Sequence, residues 1–119
     1  MELICLSGPA GSEIAYYILC GKQENEIVSR IKEYQELFGY ERYYLELLDH
    51  SDIPKQKLIT QRLIELHKDY STPVVATNNS YYIEKEDKGT QDVIMALGKG
   101  YEIENPDRPT LMGGDYSFL

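Results

Sequence analysis

The chain reads as an α/β protein, with about three to four mostly parallel strands and flanking helices. Two observations predict this. Short apolar runs rich in strand formers recur at "ELICL", "RYYLELL" and "VVAT", and segments of helical periodicity lie between and after them. Strand, helix, strand, helix, strand, helix is the order of right-handed βα units around a parallel sheet. So few strands cannot close a barrel alone, which leaves a small open sheet or a portion of a larger fold.

Residues 2–6, "ELICL", form the first strand, closed by the turn residues Ser7, Gly8 and Pro9. Ser12 is placed to cap a short helix running to about Leu19, with Gly21 as its stop. Ile27, Ile31, Tyr34 and Phe38 then line one helical face, opposite Glu24, Glu26, Lys32, Glu33 and Glu36, and Gly39 ends that helix. "RYYLELL", residues 42–48, is the second strand, followed by a polar turn of Asp49, His50, Ser51 and Asp52. Pro54 suits the first turn of the next helix, where its missing N–H is harmless, and Ile59, Leu63 and Leu66 mark its buried face as far as about Asp69. Thr72 and Pro73 lead into "VVAT", whose unbroken apolar character predicts burial on both faces. Val93, Ile94 and Leu97 imply a last helix closed near Gly98 or Gly100. An irregular loop around Asn105, Pro106 and Pro109 follows, and "DYSFL" offers a closing strand.

A chain of 119 residues, 42% hydrophobic, fits one small domain with a real core. Twenty acidic against 12 basic side chains give a net charge of −8, and the basic residues do not cluster; autonomous binding to a phosphate backbone is therefore not expected. Cys5 and Cys20 lie in apolar surroundings without metal-ligand spacing and read as reduced core residues of a cytoplasmic protein. No apolar run approaches the roughly 18 residues of a membrane span, and "MELICLSGPAG" lacks the basic start and long apolar stretch of a secretion signal. No repeat, low-complexity tract or linker interrupts the pattern.

The carboxyl edge of a parallel βα sheet is where reactive and metal-binding side chains gather, because the loops there form the open mouth of the fold. "PVVATNNSYY", residues 73–82, has the form of such a rim yet contains no carboxylate and no histidine. Glu46, Asp49 and His50 after the second strand are the best local metal ligands, although Asp-His-Ser-Asp before a proline is also ordinary turn and cap chemistry. His67, late in a helix beside Lys68, reads as a surface residue compatible with the helix dipole. "LSGPAGSE" invites comparison with phosphate-binding turns but lacks both the three-glycine spacing and the P-loop lysine, so a tight strand-to-helix turn explains it better. Neither histidine has a nucleophile in a recognisable context. The 11 tyrosines fall mostly at core-facing or strand positions, which disfavours a base-stacking surface.

The ordered set "LICLSG", "GSE", "YYLELLDHSDIPKQ", "PVVATNN", "YYIEKEDKGTQDVIMAL" and "NPDRP" resembles the second half of the PHP (polymerase and histidinol phosphatase) domain at the amino-terminal end of bacterial replicative DNA polymerase III alpha subunits. The resemblance runs from about Leu3 to Leu119 in one register. It implies that residues 1–119 are the carboxyl-terminal portion of that domain, a single domain fragment of a distorted βα barrel with metal ligands at its strand ends. In metal-binding members the turn after "LSG" carries a cysteine or histidine, matched here by Pro9. The segment after "VATN" carries an aspartate and then a histidine, matched by Asn79 and Tyr81. The other ligands, an early His-x-His pair among them, would lie ahead of Met1.

The resemblance therefore implies a degenerate metal site at Pro9, Asn79 and Tyr81, with no cofactor and no catalytic residue. The catalytic aspartates of such polymerases sit in a palm domain that the resemblance does not cover. The expected role is a structural scaffold in DNA replication, whose partners are the remainder of the alpha subunit or replisome proteins, with no membrane. An alternative is a metal-dependent phosphoesterase or 3'-5' exonuclease using Glu46, Asp49 and His50 with ligands from another chain. A third reading is a freestanding half-barrel kept for protein binding. A partial barrel leaves open sheet edges, so the isolated chain is expected to form a homodimer.

Overall fold

The computed structural model describes residues 3–50, 53–111 and 115–118. Glu2 of the predicted first strand, Ser51 and Asp52 of the predicted polar turn, and Leu119 of the predicted closing strand lie outside the described residues. The chain divides into two compact units, the first ending at Thr77 and the second beginning at Asn78.

The first unit is built on β1 (Cys5–Leu6), α1 (Glu13–Leu19), α2 (Glu24–Phe38), β2 (Tyr43–Leu48), α3 (Pro54–Tyr70) and β3 (Val74–Thr77). The three strands form a parallel sheet in the order β1-β2-β3, with Cys5 opposite Tyr43 and Leu45 opposite Val74. The mixed α/β class and the parallel sheet are thus as predicted. Alternation along the strands sends Cys5, Tyr43, Leu45, Leu47 and Val74 into a core that receives Ile14 and Ile18 from α1, Ile27 and Ile31 from α2, and Ile59, Leu63 and Leu66 from α3. Leu45, Leu63 and Leu66 are almost wholly shielded, each worth about 1.5–3 kcal/mol relative to exposure.

Local signals set the helix boundaries. Ser12 caps α1 by accepting from the Ala15 N–H (3.4 Å). Pro54 occupies the first turn of α3, where an N–H has no intrahelical partner. Ser71, at φ 55°, closes α3 with its N–H on the His67 carbonyl (2.8 Å), a left-handed position that a non-glycine residue rarely takes. Charged pairs lace the helices together. Glu13 of α1 accepts from Tyr34 Oη (2.6 Å) and Arg30 Nε (3.0 Å) of α2. Glu24 of α2 accepts from Tyr70 Oη (2.6 Å) and from the Arg62 guanidinium of α3.

Two expectations need correction. β3 is not buried on both faces: Val74 and Val75 are half-buried and Ala76 is exposed, because β3 ends the sheet order and the core is centred on β2. Cys20 is not a core residue, since it lies exposed where α1 stops, while Cys5 is half-buried against the core. The tyrosines divide: Tyr17, Tyr34, Tyr43, Tyr44, Tyr82 and Tyr116 are buried or half-buried, whereas Tyr16, Tyr40, Tyr70, Tyr81 and Tyr101 are exposed. A phenol keeps its hydroxyl wet while its ring covers apolar neighbours, so a strand- or helix-periodic tyrosine need not be interior.

The second unit contains a turn of 3-10 helix (Lys85–Asp87) leading into α4 (Lys88–Lys99). The predicted closing strand is reduced to one parallel bridge, Tyr82 with Ser117, flanked by main-chain bonds from Tyr81 N to Tyr116 O and from Phe118 N to Tyr82 O, both 2.9 Å. Leu111 N donates to Asp92 Oδ1 of α4 (3.2 Å), which ties the irregular tail to that helix.

Candidate functional site

Because all three strands run the same way, the chain leaves β1, β2 and β3 at one edge of the sheet. Ser7 continues the β1 ladder, its N–H bonding the Tyr44 carbonyl (2.8 Å) and its Oγ accepting from Glu46 N (2.9 Å). Glu46 Oε1 in turn accepts from Thr77 Oγ1 at the end of β3 (2.7 Å). A cross-strand chain from β1 through β2 to β3 therefore occupies the carboxyl edge.

After Ser7 the backbone turns through Gly8 at φ 84°. A Cβ there would sit 2.9 Å from the Ser12 Cβ, so the residue must be glycine on two counts. Ser12 Oγ donates to the Gly8 carbonyl (3.3 Å) and Ser12 N to the Pro9 carbonyl (2.8 Å), locking a tight strand-to-helix turn with Pro9 exposed on it. The local bonds are those of a turn and a helix cap.

At the end of β2, Asp49 is exposed and His50 is 5% exposed, its carbonyl accepting from Ile53 N (2.9 Å). A cavity of about 220 Å³ opens beside them, lined by Leu48, Asp49, Lys57, Thr60 and Gln61. Thr60 Oγ1 donates to the Leu48 carbonyl (3.0 Å) and receives Gln56 Nε2 (3.2 Å), so the buried Gln56 is satisfied within α3. Glu46 is committed to Thr77, Asp49 faces solvent and His50 is interior. Among the described residues no group of three or more His, Cys, Asp or Glu side chains is placed to hold a metal ion.

Asn79 and Tyr81 belong to the second unit, where Asn79 Nδ2 lies 3.4 Å from Tyr81 Oη. The Tyr81 ring meets Tyr116 edge-on, with centroids 5.6 Å apart. Pro9 has no donor atom in its side chain, and an amide and a phenol engaged with each other are poor ligands for a divalent ion, whose dehydration calls for anionic or imidazole donors. His67, read from sequence as a surface residue, is held by its Nδ1, 2.8 Å from the Thr72 carbonyl, which fastens the end of α3 to the lead-in of β3. The Ser7–Glu46–Thr77 chain is assembled by the strand register. Its one sequence signal is a hydroxyl residue at the end of each outer strand flanking a glutamate in the middle one.

The fold and rim define a parallel α/β unit with a polar, hydrogen-bonded carboxyl edge. No protein-family model matches the chain. It is 33% identical over 106 residues to the DNA polymerase III subunit alpha of Treponema pallidum, covering 89% of this chain and 9% of that protein. To the subunit of the same name from Thermus aquaticus it is 34% identical over 106 residues, covering 89% of this chain and 8% of the relative. With that of Deinococcus radiodurans the identity is 32% over 95 residues. The resemblance to bacterial DNA polymerase III alpha subunits is thereby shown, and the chain spans less than a tenth of the length of these relatives. Among the described residues no helix is long and apolar enough to cross a membrane.

Proposed function

We propose that these residues are the carboxyl-terminal portion of a PHP-type domain of a replicative polymerase alpha subunit, serving DNA replication in the cytoplasm as a non-catalytic scaffold. The observation that carries this reading is a similarity spread over 89% of the chain to one short stretch of proteins bearing that subunit's name. Pro9 in the first unit, and Asn79 and Tyr81 in the second, stand where the resemblance expects ligands, and a pyrrolidine, an amide and a phenol offer no anionic or imidazole donor, which supports the reading of a degenerate metal site. Its natural partner is the rest of the subunit, and an acidic chain of net charge −8 contributes protein contacts rather than a hold on nucleic acid.

Calorimetric titration with zinc and with manganese tests the degenerate site. No stoichiometric binding tighter than about micromolar is expected, against the nanomolar or tighter affinity of a built zinc site. Hydrolysis of a generic phosphodiester with added manganese should stay at the level of the metal alone. Stoichiometric tight binding lost on Asn79→Ala and Tyr81→Phe would overturn the reading.

A further inference from the structure

α4 is amphipathic, yet its only buried residue is Ala96; Val93 and Leu97 are 45% and 80% exposed. The way the helix ends turns this exposed stripe into a groove. Gly100, at φ 72°, closes α4 with its own N–H on the Leu97 carbonyl (3.2 Å) and the Tyr101 N–H on the Ala96 carbonyl (2.9 Å), the paired bonds of a Schellman motif. That reversal folds Tyr101 and the following residues back beside the last turns of the helix. Arg108 Nε donates to the Ile103 carbonyl (2.8 Å) and Asn105 N to the Glu102 carbonyl (3.1 Å), so the returning segment is held in place. The result is a cavity of about 340 Å³ lined by Val93, Leu97, Tyr101, Glu102, Ile103 and Glu104, all within the second unit.

The lining is apolar with two carboxylates on it. Among the described residues neither Glu102 nor Glu104 has a side-chain partner. From residue 92 to residue 108 four acids, Asp92, Glu102, Glu104 and Asp107, stand against two bases, Lys99 and Arg108, a surplus of two negative charges. An apolar slot beside unpaired carboxylates is complementary to a polypeptide with a leucine- or phenylalanine-sized anchor flanked by lysine or arginine. We infer that the groove between α4 and the 101–104 segment docks a basic segment of a partner polypeptide, through one large apolar side chain and neighbouring cations. This inference goes beyond the replication reading and stands without it, since it rests on the second unit alone.

The test titrates the isotopically labelled 119-residue chain with a 14-residue amphipathic peptide of leucine and lysine, and separately with its leucine and glutamate counterpart. The expected result is amide shifts concentrated at residues 93–104 with the lysine peptide alone. Leu97→Asp, a change at an exposed site, should weaken binding at least tenfold. The double substitution Glu102→Lys with Glu104→Lys should reverse the preference towards the glutamate peptide. Shifts spread over the helices of the first unit, unchanged affinity in Leu97→Asp, or no shifts at 93–104 would each overturn the inference, because a merely acidic surface attracts a cationic peptide without regard to the groove.

Discussion

Glu13 and Glu24 are the carboxylates on which helix contacts of the first unit converge, and both are held below the usual carboxylate range. For Glu13 the cause is chiefly the Tyr34 hydroxyl, with Arg30 next; for Glu24 it is the Tyr70 hydroxyl, then Arg62. A carboxyl with a lower value in the folded chain than in the unfolded one stabilises fully above the unfolded value, roughly pH 4 to 4.5, and loses that stabilisation as pH falls through the folded value. Melting temperature should therefore drop as the solution is acidified from neutrality to about pH 3. Glu13→Gln should flatten part of that dependence. Tyr43 is a different case. It is 1% exposed, its ring stacks on Tyr34 at 5.3 Å, and among the described residues its hydroxyl has no hydrogen-bond partner. An unsatisfied buried hydroxyl costs about 1–3 kcal/mol, so Tyr43→Phe should raise the denaturant midpoint, whereas Tyr43→Ala should cost roughly 3–5 kcal/mol by opening a cavity. A Tyr43→Phe variant less stable than the parent would show that the hydroxyl is satisfied after all.

At the scale of elements, two glycines two residues apart make opposite predictions. Gly98 lies inside α4 with open space around its missing Cβ, so Gly98→Ala should stabilise by about 0.5–1 kcal/mol. Gly100 sits at φ 72° in the reversal that ends the helix, and Gly100→Ala should destabilise by about 1 kcal/mol although nothing crowds it. Chemical denaturation of the two variants separates conformational strain from steric clash. The same end of α4 shows what the sequence made legible. The stop near Gly98 or Gly100 could be read because glycine past an apolar run is a local signal, as were the Ser12 cap, the Pro54 start and the Gly39 stop. What could not be read was which way the apolar residues face. Val93, Ile94 and Leu97 predict a helix through their spacing, but burial depends on what lies across from them, and spacing carries no information about that. β3 fails in the same way: a continuous apolar run fits an interior strand, and its place at the end of the sheet is a tertiary fact. Of the site, the resemblance singles out Pro9, Asn79 and Tyr81, none of which carries an anionic or imidazole donor, whereas the Ser7–Glu46–Thr77 chain needed the strand register to bring it together.

Among the described residues, β1 and β3 stand at the two ends of a parallel sheet of three strands. Parallel sheets are ordinarily covered, and unpaired strand edges are templates for further pairing. The chain on its own should therefore self-associate at micromolar concentrations, and with a net charge of −8 the association should strengthen as added salt screens the repulsion. Sedimentation velocity across concentration and ionic strength checks this, and a clean monomer of 13.7 kDa throughout would rule it out. The carboxyl edge carries a further consequence. Glu46 fastens Ser7 through its main-chain nitrogen and Thr77 through its carboxylate, so one residue secures its two neighbours by independent means. Damage to that side chain loosens one flank and spares the other. Amide exchange after Glu46→Ala should accelerate around Thr77 while the turn at Gly8 keeps its protection, a lopsided failure that divides the rim into two separately tethered halves.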